Sequence, residues 1–280
     1  MSIAVTGATG QLGRLAIAAL KARGAAPVAL VRSPEKAADL GVETRAFDYN
    51  APDAAALAGV DVLVLISSND FTDRAGQHGN VIAAAKAAGV KRILYTSILK
   101  ATSSPMKFLP SDHAKTEALL AASGLEVTLL RNGWYTENLT GALGAAIQHG
   151  AIIGSAGEGR YAAAARKDYA EAIAVTALDA AHAGKTYELA GDAPFTGAEL
   201  AAEVARQSGK PVAYVNLPEA EYAKALEGFG LPAGFAAVLA ESDFAASKGA
   251  LDDDSHTLSR LIGRPTTPMA ETVAAALAAL

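Results

Sequence analysis

Ile3-Ala4-Val5-Thr6-Gly7-Ala8-Thr9-Gly10-Gln11-Leu12-Gly13 is the stretch whose reading decides the fold. Its apolar run stops at a glycine. Leu12, Leu15, Ala16, Ala19 and Leu20 then follow the i, i+3, i+4, i+7, i+8 spacing of one helical face. The order is strand, glycine turn, helix. Gly7 allows the tight turn, Gly10 lets a ligand approach the backbone, and Gly13 lets helix and strand pack closely. The free N–H groups at the helix start suit a pyrophosphate. A glycine turn alone does not identify a ligand, so the rest of the chain has to decide.

Working outward, apolar runs at 28–31, 42–47, 60–66, 92–96 and 125–130 read as further strands. Helical patterns at 34–40, 74–88 and 111–123 separate them. This alternation implies right-handed crossovers and a parallel sheet covered on both faces. The expected class is α/β: a Rossmann-type doubly wound parallel sheet with ligands at the carboxyl ends of its strands. After Gly150 the rhythm changes. Residues 151–153 enter a glycine-rich loop, Asp168 leads a helix, and 186–190 reads as the last strand. From Asp192 the pattern is mostly helical, with a capping box at Thr196 and Glu199 and a closing helix opened by Pro268. The expected organisation is a dinucleotide-binding domain over 1–191 and a smaller, mostly helical substrate-side lobe over 192–280.

The 280 residues are 51% hydrophobic, but much of that is alanine, and no apolar run approaches the roughly 18 residues of a membrane span. There is no cysteine, which excludes disulfides, thiolate nucleophiles and Cys-based metal sites. The net charge is −5 with no basic run, so no nucleic-acid footprint is present. The chain enters its first strand with no basic segment or signal-peptide core, which makes the cytoplasm the expected compartment.

In a NAD-specific fold, an acidic residue about 20 positions past the glycines binds the ribose 2′-hydroxyl. Here that position is Arg32. A guanidinium pairs with a 2′-phosphate and stacks on adenine, so NADP(H) is favoured over NAD. Lys36 is either an assistant or a surface charge. Asp48 either accepts from the adenine amino group or closes its own turn. Ser67, Ser68 and Asn69 follow strand four, where small polar side chains either reach sugar and phosphate oxygens or form an ordinary turn.

Alcohol–ketone chemistry on such folds uses Tyr-x-x-x-Lys, the tyrosine giving a proton and the lysine lowering its pKa. None of the 8 tyrosines has a lysine four residues on. Near the start of the helix after strand five, His113 and Glu117 occupy the i, i+4 positions instead. Reducing a simple ketone makes a basic alkoxide that needs a positioned acid. Reducing a quinone makes a delocalised phenolate that can take its proton from water. The missing pair therefore points toward quinones, enones or dyes. His113 is a candidate proton donor or substrate contact, with a helix-surface histidine as the alternative. The run Asp252-Asp253-Asp254-Ser255 reads as a helix N-cap, and no metal site is expected.

The glycine turn with its Gly-x-x-Gly-x-x-Gly spacing, Val31-Arg32, Leu65-Ile66-Ser67-Ser68, Tyr95-Thr96-Ser97 and Leu130-Arg131-Asn132-Gly133-Trp134-Tyr135-Thr136-Glu137-Asn138 together resemble the type 2 NADPH-dependent quinone oxidoreductases. These belong to the NmrA-like, atypical short-chain dehydrogenase group. The resemblance continues through Tyr187 to Asp192, Ala246 to Gly249 and Leu261 to Gly263, so it spans essentially the whole chain. It implies NADPH-dependent, flavin-free two-electron reduction of a small-molecule quinone to a hydroquinone. It places cofactor contacts at Gly7, Ala8, Thr9, Gly10, Gln11, Leu12, Arg32, Ser67, Ser68, Asn69, Asn132, Gly133, Trp134, Tyr135, Thr136 and Glu137. Trp134 and Tyr135, large flat side chains after strand six, either wall a planar ring, with Phe108 and Leu109 as a second wall, or pack in the core. Tyr135 joins His113 as a candidate for substrate positioning or proton donation. A redox-sensing regulator that binds the dinucleotide without turnover, and a flavin or dye reductase, stay open. A homodimer is compatible with all three.

Overall fold

The computed structural model describes residues 1–280. In chain order its strands are β1 (Ile3–Thr6), β2 (Val28–Val31), β3 (Thr44–Ala46), β4 (Val62–Leu65), β5 (Arg92–Ile98), β6 (Glu126–Asn132), β7 (Ala151–Gly154), β8 (Arg160–Tyr161), β9 (Thr186–Leu189), β10 (Phe195–Thr196) and β11 (Ala213–Asn216). The helices are α1 (Gln11–Ala22), α2 (Arg74–Ala87), α3 (Phe108–Ala122), α4 (Thr136–Thr140), α5 (Leu143–His149), α6 (Arg166–Leu178), α7 (Gly197–Ser208), α8 (Glu219–Gly228), α9 (Ala233–Ala246), α10 (Thr257–Ile262) and α11 (Met269–Ala278). The chain gathers into two compact units. One contains Met1–Ala101, Ser111–Asn132 and Arg166–Glu188; the other contains Thr102–Pro110, Gly133–Ala165 and Leu189–Leu280. The units interleave in sequence, which is a different division from one cut at 191/192. The reason is that β7 and β8 find their partners, β11 and β10, much later in the chain.

The first unit is built on a seven-stranded sheet in the order β3-β2-β1-β4-β5-β6-β9. Its first six strands pair in parallel, with Thr6 opposite Leu30, Val5 opposite Val64 and Tyr95 opposite Leu129. At the far edge, Gly184 N donates to Val127 O and Leu129 N to Lys185 O, so the two chains advance together and this pair is parallel too. Every residue of β1, β2, β4 and β5 is buried, which explains their unbroken apolar sequences. Ala4, Leu30, Leu63, Leu65, Ile93 and Tyr95 pack with Val81 and Ile82 of α2 and Leu120 of α3. The two-residue period sends the intervening side chains to the opposite face, where α1 packs on α6. Burying each Leu or Ile of this core contributes on the order of 2 kcal/mol. Strand order reverses at β1, so the carboxyl ends of β1 and β4 flank the switch point where ligands bind in such sheets. Residues 34–40 form a 3-10 turn closed by Gly41 rather than an α-helix.

In the second unit β7 and β11 are parallel, β8 and β10 antiparallel, so β9 is not the last strand. The capping box that opens α7 is complete: Glu199 N donates to Thr196 Oγ1 at 3.1 Å and Thr196 N to the Glu199 carboxylate at 2.7 Å. The glycine-rich loop after β7 is pinned by the half-buried Asp243 of α9, whose carboxylate accepts from Ser155 N and the Tyr161 hydroxyl. Burial pushes this carboxyl above its ordinary value. The N-cap position of α10 is His256 rather than a residue of the run 252–255, and from that run only Ser255 Oγ reaches the helix start, accepting from Thr257 N at 3.3 Å. Asp253 accepts from Ser255 N at 3.0 Å and from its hydroxyl at 2.6 Å, closing a turn on itself, and α10 starts only after His256. No helix is long and apolar enough to cross a membrane.

Candidate dinucleotide site

At the end of β1 the chain turns through Gly7, whose φ of +58° lies in the left-handed region. Gly10 N donates to Gly7 O at 2.9 Å and closes the turn. A Cβ on Gly13 would sit 2.3 Å from Gly7 O, so the close approach is between helix and turn rather than helix and strand. Gly10 caps α1 with no side chain bonded to the first turn and no acidic residue in it. Ala8, Thr9, Gly10, Gln11 and Leu12 thus surround a positive helix end that no carboxylate neutralises, a cradle that fits an anion.

Behind the cradle, Thr6 Oγ1 donates to Val64 O at 3.2 Å and accepts from Ile66 N at 3.0 Å. The buried Tyr49 hydroxyl lies 2.5 Å from Thr6 Oγ1 and 2.7 Å from Ile66 O. These bonds join the carboxyl ends of β1 and β4. Arg14 secures the other side: its Nε donates to Thr9 O at 3.1 Å and its guanidinium pairs with Asp39. Sequence reading missed Arg14 because its carboxylate partner, Asp39, lies beyond the next strand. Arg32 is exposed at the end of β2, neighbour to β1, and pairs with no carboxylate. Lys36 is also exposed. Asp48 accepts from Asn50 N at 2.9 Å, so it closes its own turn.

The segment after β4 is held firmly. Ser67 N donates to Thr96 Oγ1 at 2.9 Å, and Ser68 N to His78 Nε2 at 2.9 Å. Ser68 O accepts from Arg74 Nε at 2.8 Å, and Ser68 Oγ accepts from Asp70 N at 3.2 Å. The hydroxyl of Ser68 thus accepts one bond within its turn and keeps its own hydrogen for a further partner, while Asn69 lies just beyond the pinned residues.

His113 is not on a solvated helix surface. It is buried, and its Nδ1 lies 2.7 Å from the hydroxyl of Tyr95, which is itself fully buried. Burial, with the nearby Arg74 and His78, holds the imidazole well below its ordinary pKa, so it is neutral. Burial likewise pushes the Tyr95 hydroxyl up. Glu117 does not serve His113. It receives Arg131 through both oxygens, at 2.9 and 2.6 Å, and the Ser97 hydroxyl at 2.6 Å. Arg131 also reaches Glu188 at 2.8 Å. The positions of the absent Tyr-x-x-x-Lys pair thus hold a buried imidazole and half of a structural ion pair.

Asn132 ends β6, buried, and its carbonyl accepts from Leu99 N at 2.8 Å. Gly133 opens the second unit, with its N–H donating to Leu189 O at 2.7 Å. Trp134 O accepts from Ala164 N at 3.1 Å and Thr136 N donates to Ala164 O at 3.0 Å, so the main chain of this loop is clamped on both sides. Tyr135 bridges to Ala164 and sits at the start of α4, with Glu137 in its first turn. Trp134 and Tyr135 are half-buried, and Phe108 is 52% exposed. The structure gathers Gly7 to Leu12, Arg32, Ser67 to Asn69 and Asn132 along one edge of the sheet, while Gly133 to Glu137 belong to the second unit.

The NAD(P)H-binding family model matches residues 7–183. The chain belongs to that family. Quinone oxidoreductase 2 of Escherichia coli (strain K12) is 54% identical over 278 residues, covering 97% of each chain. A crystal structure of the NADPH-dependent quinone oxidoreductase from Escherichia coli complexed with NADPH superposes with a TM-score of 0.94 at 53% identity, over 98% of this chain and 99% of that one. The triphenylmethane reductase of Citrobacter sp. superposes with a TM-score of 0.92 at 39% identity, over 99% of this chain and 100% of that one. Within this family the unneutralised cradle and Arg32 fit a dinucleotide that carries a 2′-phosphate.

Proposed function

We propose that this protein is an NADPH-dependent oxidoreductase that reduces quinones to hydroquinones by direct two-electron hydride transfer, without flavin. One observation carries the reading: an uncapped glycine turn with an exposed Arg32 just past the end of the neighbouring strand, in a chain 54% identical to a quinone oxidoreductase. Bound NADPH supplies the hydride from its nicotinamide ring. In this reading Gly7 to Leu12 receive the pyrophosphate, Arg32 the 2′-phosphate, and Ser67, Ser68 and Asn69 the sugar. Asn132, Gly133, Trp134, Tyr135, Thr136 and Glu137 hold the nicotinamide end, and residues 192–280 supply the substrate side.

His113 and Tyr135 position the acceptor or help deliver a proton. The neutral His113 favours the positioning role, because an imidazole kept far below its ordinary pKa is uncharged at neutral pH. A hydroquinone anion needs no strong acid, so the absence of Tyr-x-x-x-Lys is no obstacle. The likeness to triphenylmethane reductase supports dyes as a second class of acceptor. Following NADPH absorbance with benzoquinone, naphthoquinone and a triarylmethane dye tests the reading. Tight NADPH binding without oxidation by any acceptor would refute it and favour a redox sensor. A cytoplasmic compartment and a homodimer belong to the same proposal; cell fractionation and light scattering test them.

A further inference from the structure

We propose that His78 is a positioning residue, which through its tautomer fixes the turn at Ser67, Ser68 and Asn69 for NADPH. The proposal rests on the reading that this turn meets the cofactor. Ser68 lies past the end of β4, and α2 supplies its backbone partners: His78 Nε2 for the N–H and Arg74 Nε for the carbonyl. Residues 74 and 78 are one turn apart on the same helical face, so the two side chains grip both polar groups of one residue.

A backbone N–H can only donate, so His78 Nε2 must present a lone pair. The ring hydrogen is then on Nδ1, which lies 2.9 Å from Thr116 Oγ1. Thr116 gives its own hydrogen to Asp112 O at 3.0 Å and is free to accept. The chain Ser68, His78, Thr116, Asp112 has one consistent assignment of hydrogens. The other tautomer would set two donors against each other across 2.9 Å. His78 is fully buried, with Tyr95 edge-on at 5.3 Å and Tyr49 at 6.1 Å between ring centroids. A ring kept only to fill this space would not need directional bonds at both nitrogens. The orientation of a turn on the cofactor's side of the sheet thus depends on a threonine of α3 that does not touch it.

The test measures the NADPH Kd of the full chain by fluorescence titration without any acceptor. His78→Gln keeps an acceptor for Ser68 and a donor for Thr116, and should stay within about threefold of wild type. Thr116→Val and His78→Leu remove the lock and should raise Kd by about tenfold, the loss of roughly one hydrogen bond, while Thr116→Ser restores it. The kcat at saturating NADPH should change less than Kd does. Nitrogen-15 NMR of the wild type should show His78 as the neutral Nδ1–H form. A folded Thr116→Val protein that binds NADPH like wild type overturns the proposal, as does an Nε2–H tautomer. If NADPH binds but no quinone is reduced, only the acceptor reading fails, and the Kd comparison still decides this one. Absence of NADPH binding by wild type overturns both.

Discussion

Lowering the pH from 7.5 to 5 should destabilise the first unit through its buried histidines, and His78 sets the size of the effect. Desolvation first, and then the Arg74 charge, push its pKa down to about 3. An unfolded imidazole titrates near ~6.5. Below that pH the unfolded chain takes up a proton that the folded chain refuses. Stability therefore falls as pH falls, by about 1.4 kcal/mol per unit for this one group, or about 2 kcal/mol at pH 5. His113 is shifted in the same direction and adds to the loss. Asp39, Asp61, Asp70 and Glu203 have pKa values lowered by their partners, so they stay ionised over this window and contribute nothing. Asp243 has the opposite sign, since its raised pKa favours proton uptake by the folded state. The comparison that isolates His78 is with His78→Gln, which cannot titrate. Urea unfolding followed by far-UV circular dichroism at several pH values should show wild type losing about 2 kcal/mol more than the variant between pH 7.5 and 5. Equal losses in the two proteins, or an NMR titration of His78 near an ordinary histidine pKa, would refute the reasoning.

Three further substitutions probe Arg32, the cradle and the Glu117–Arg131 ion pair. Arg32→Glu replaces the unpaired guanidinium with a charge that repels a 2′-phosphate; NADPH Kd should rise by more than about tenfold while NADH is little affected, as titration of both cofactors will show. Gly13→Ala drives a Cβ to 2.3 Å from Gly7 O, and should cost about 1–3 kcal/mol of stability together with a weaker NADPH Kd. Glu117→Gln leaves Arg131 with Glu188 alone in a largely buried site; a loss of about 3 kcal/mol in urea unfolding, with NADPH Kd unchanged, is the expected result.

The sequence by itself determined the doubly wound sheet, the strand–glycine–helix start and the exposed arginine that follows β2. Those features are local: an apolar run buried on both faces, a glycine at a left-handed turn and an arginine at a strand end declare themselves within about twenty residues. What lies opposite a helical face is not local. Periodicity placed His113 on α3, but only the packing of β5 put the Tyr95 hydroxyl against it and withdrew it from solvent. The same holds for Glu117, which meets Arg131 of β6 and Ser97 of β5, and for Asp253, which turns back on Ser255 instead of capping α10. His78 reads in the sequence as one polar residue in a helix. Its partners, Ser68 and Thr116, come from a turn before it and a helix after it. Which atom of the ring carries the hydrogen is decided only where those segments meet.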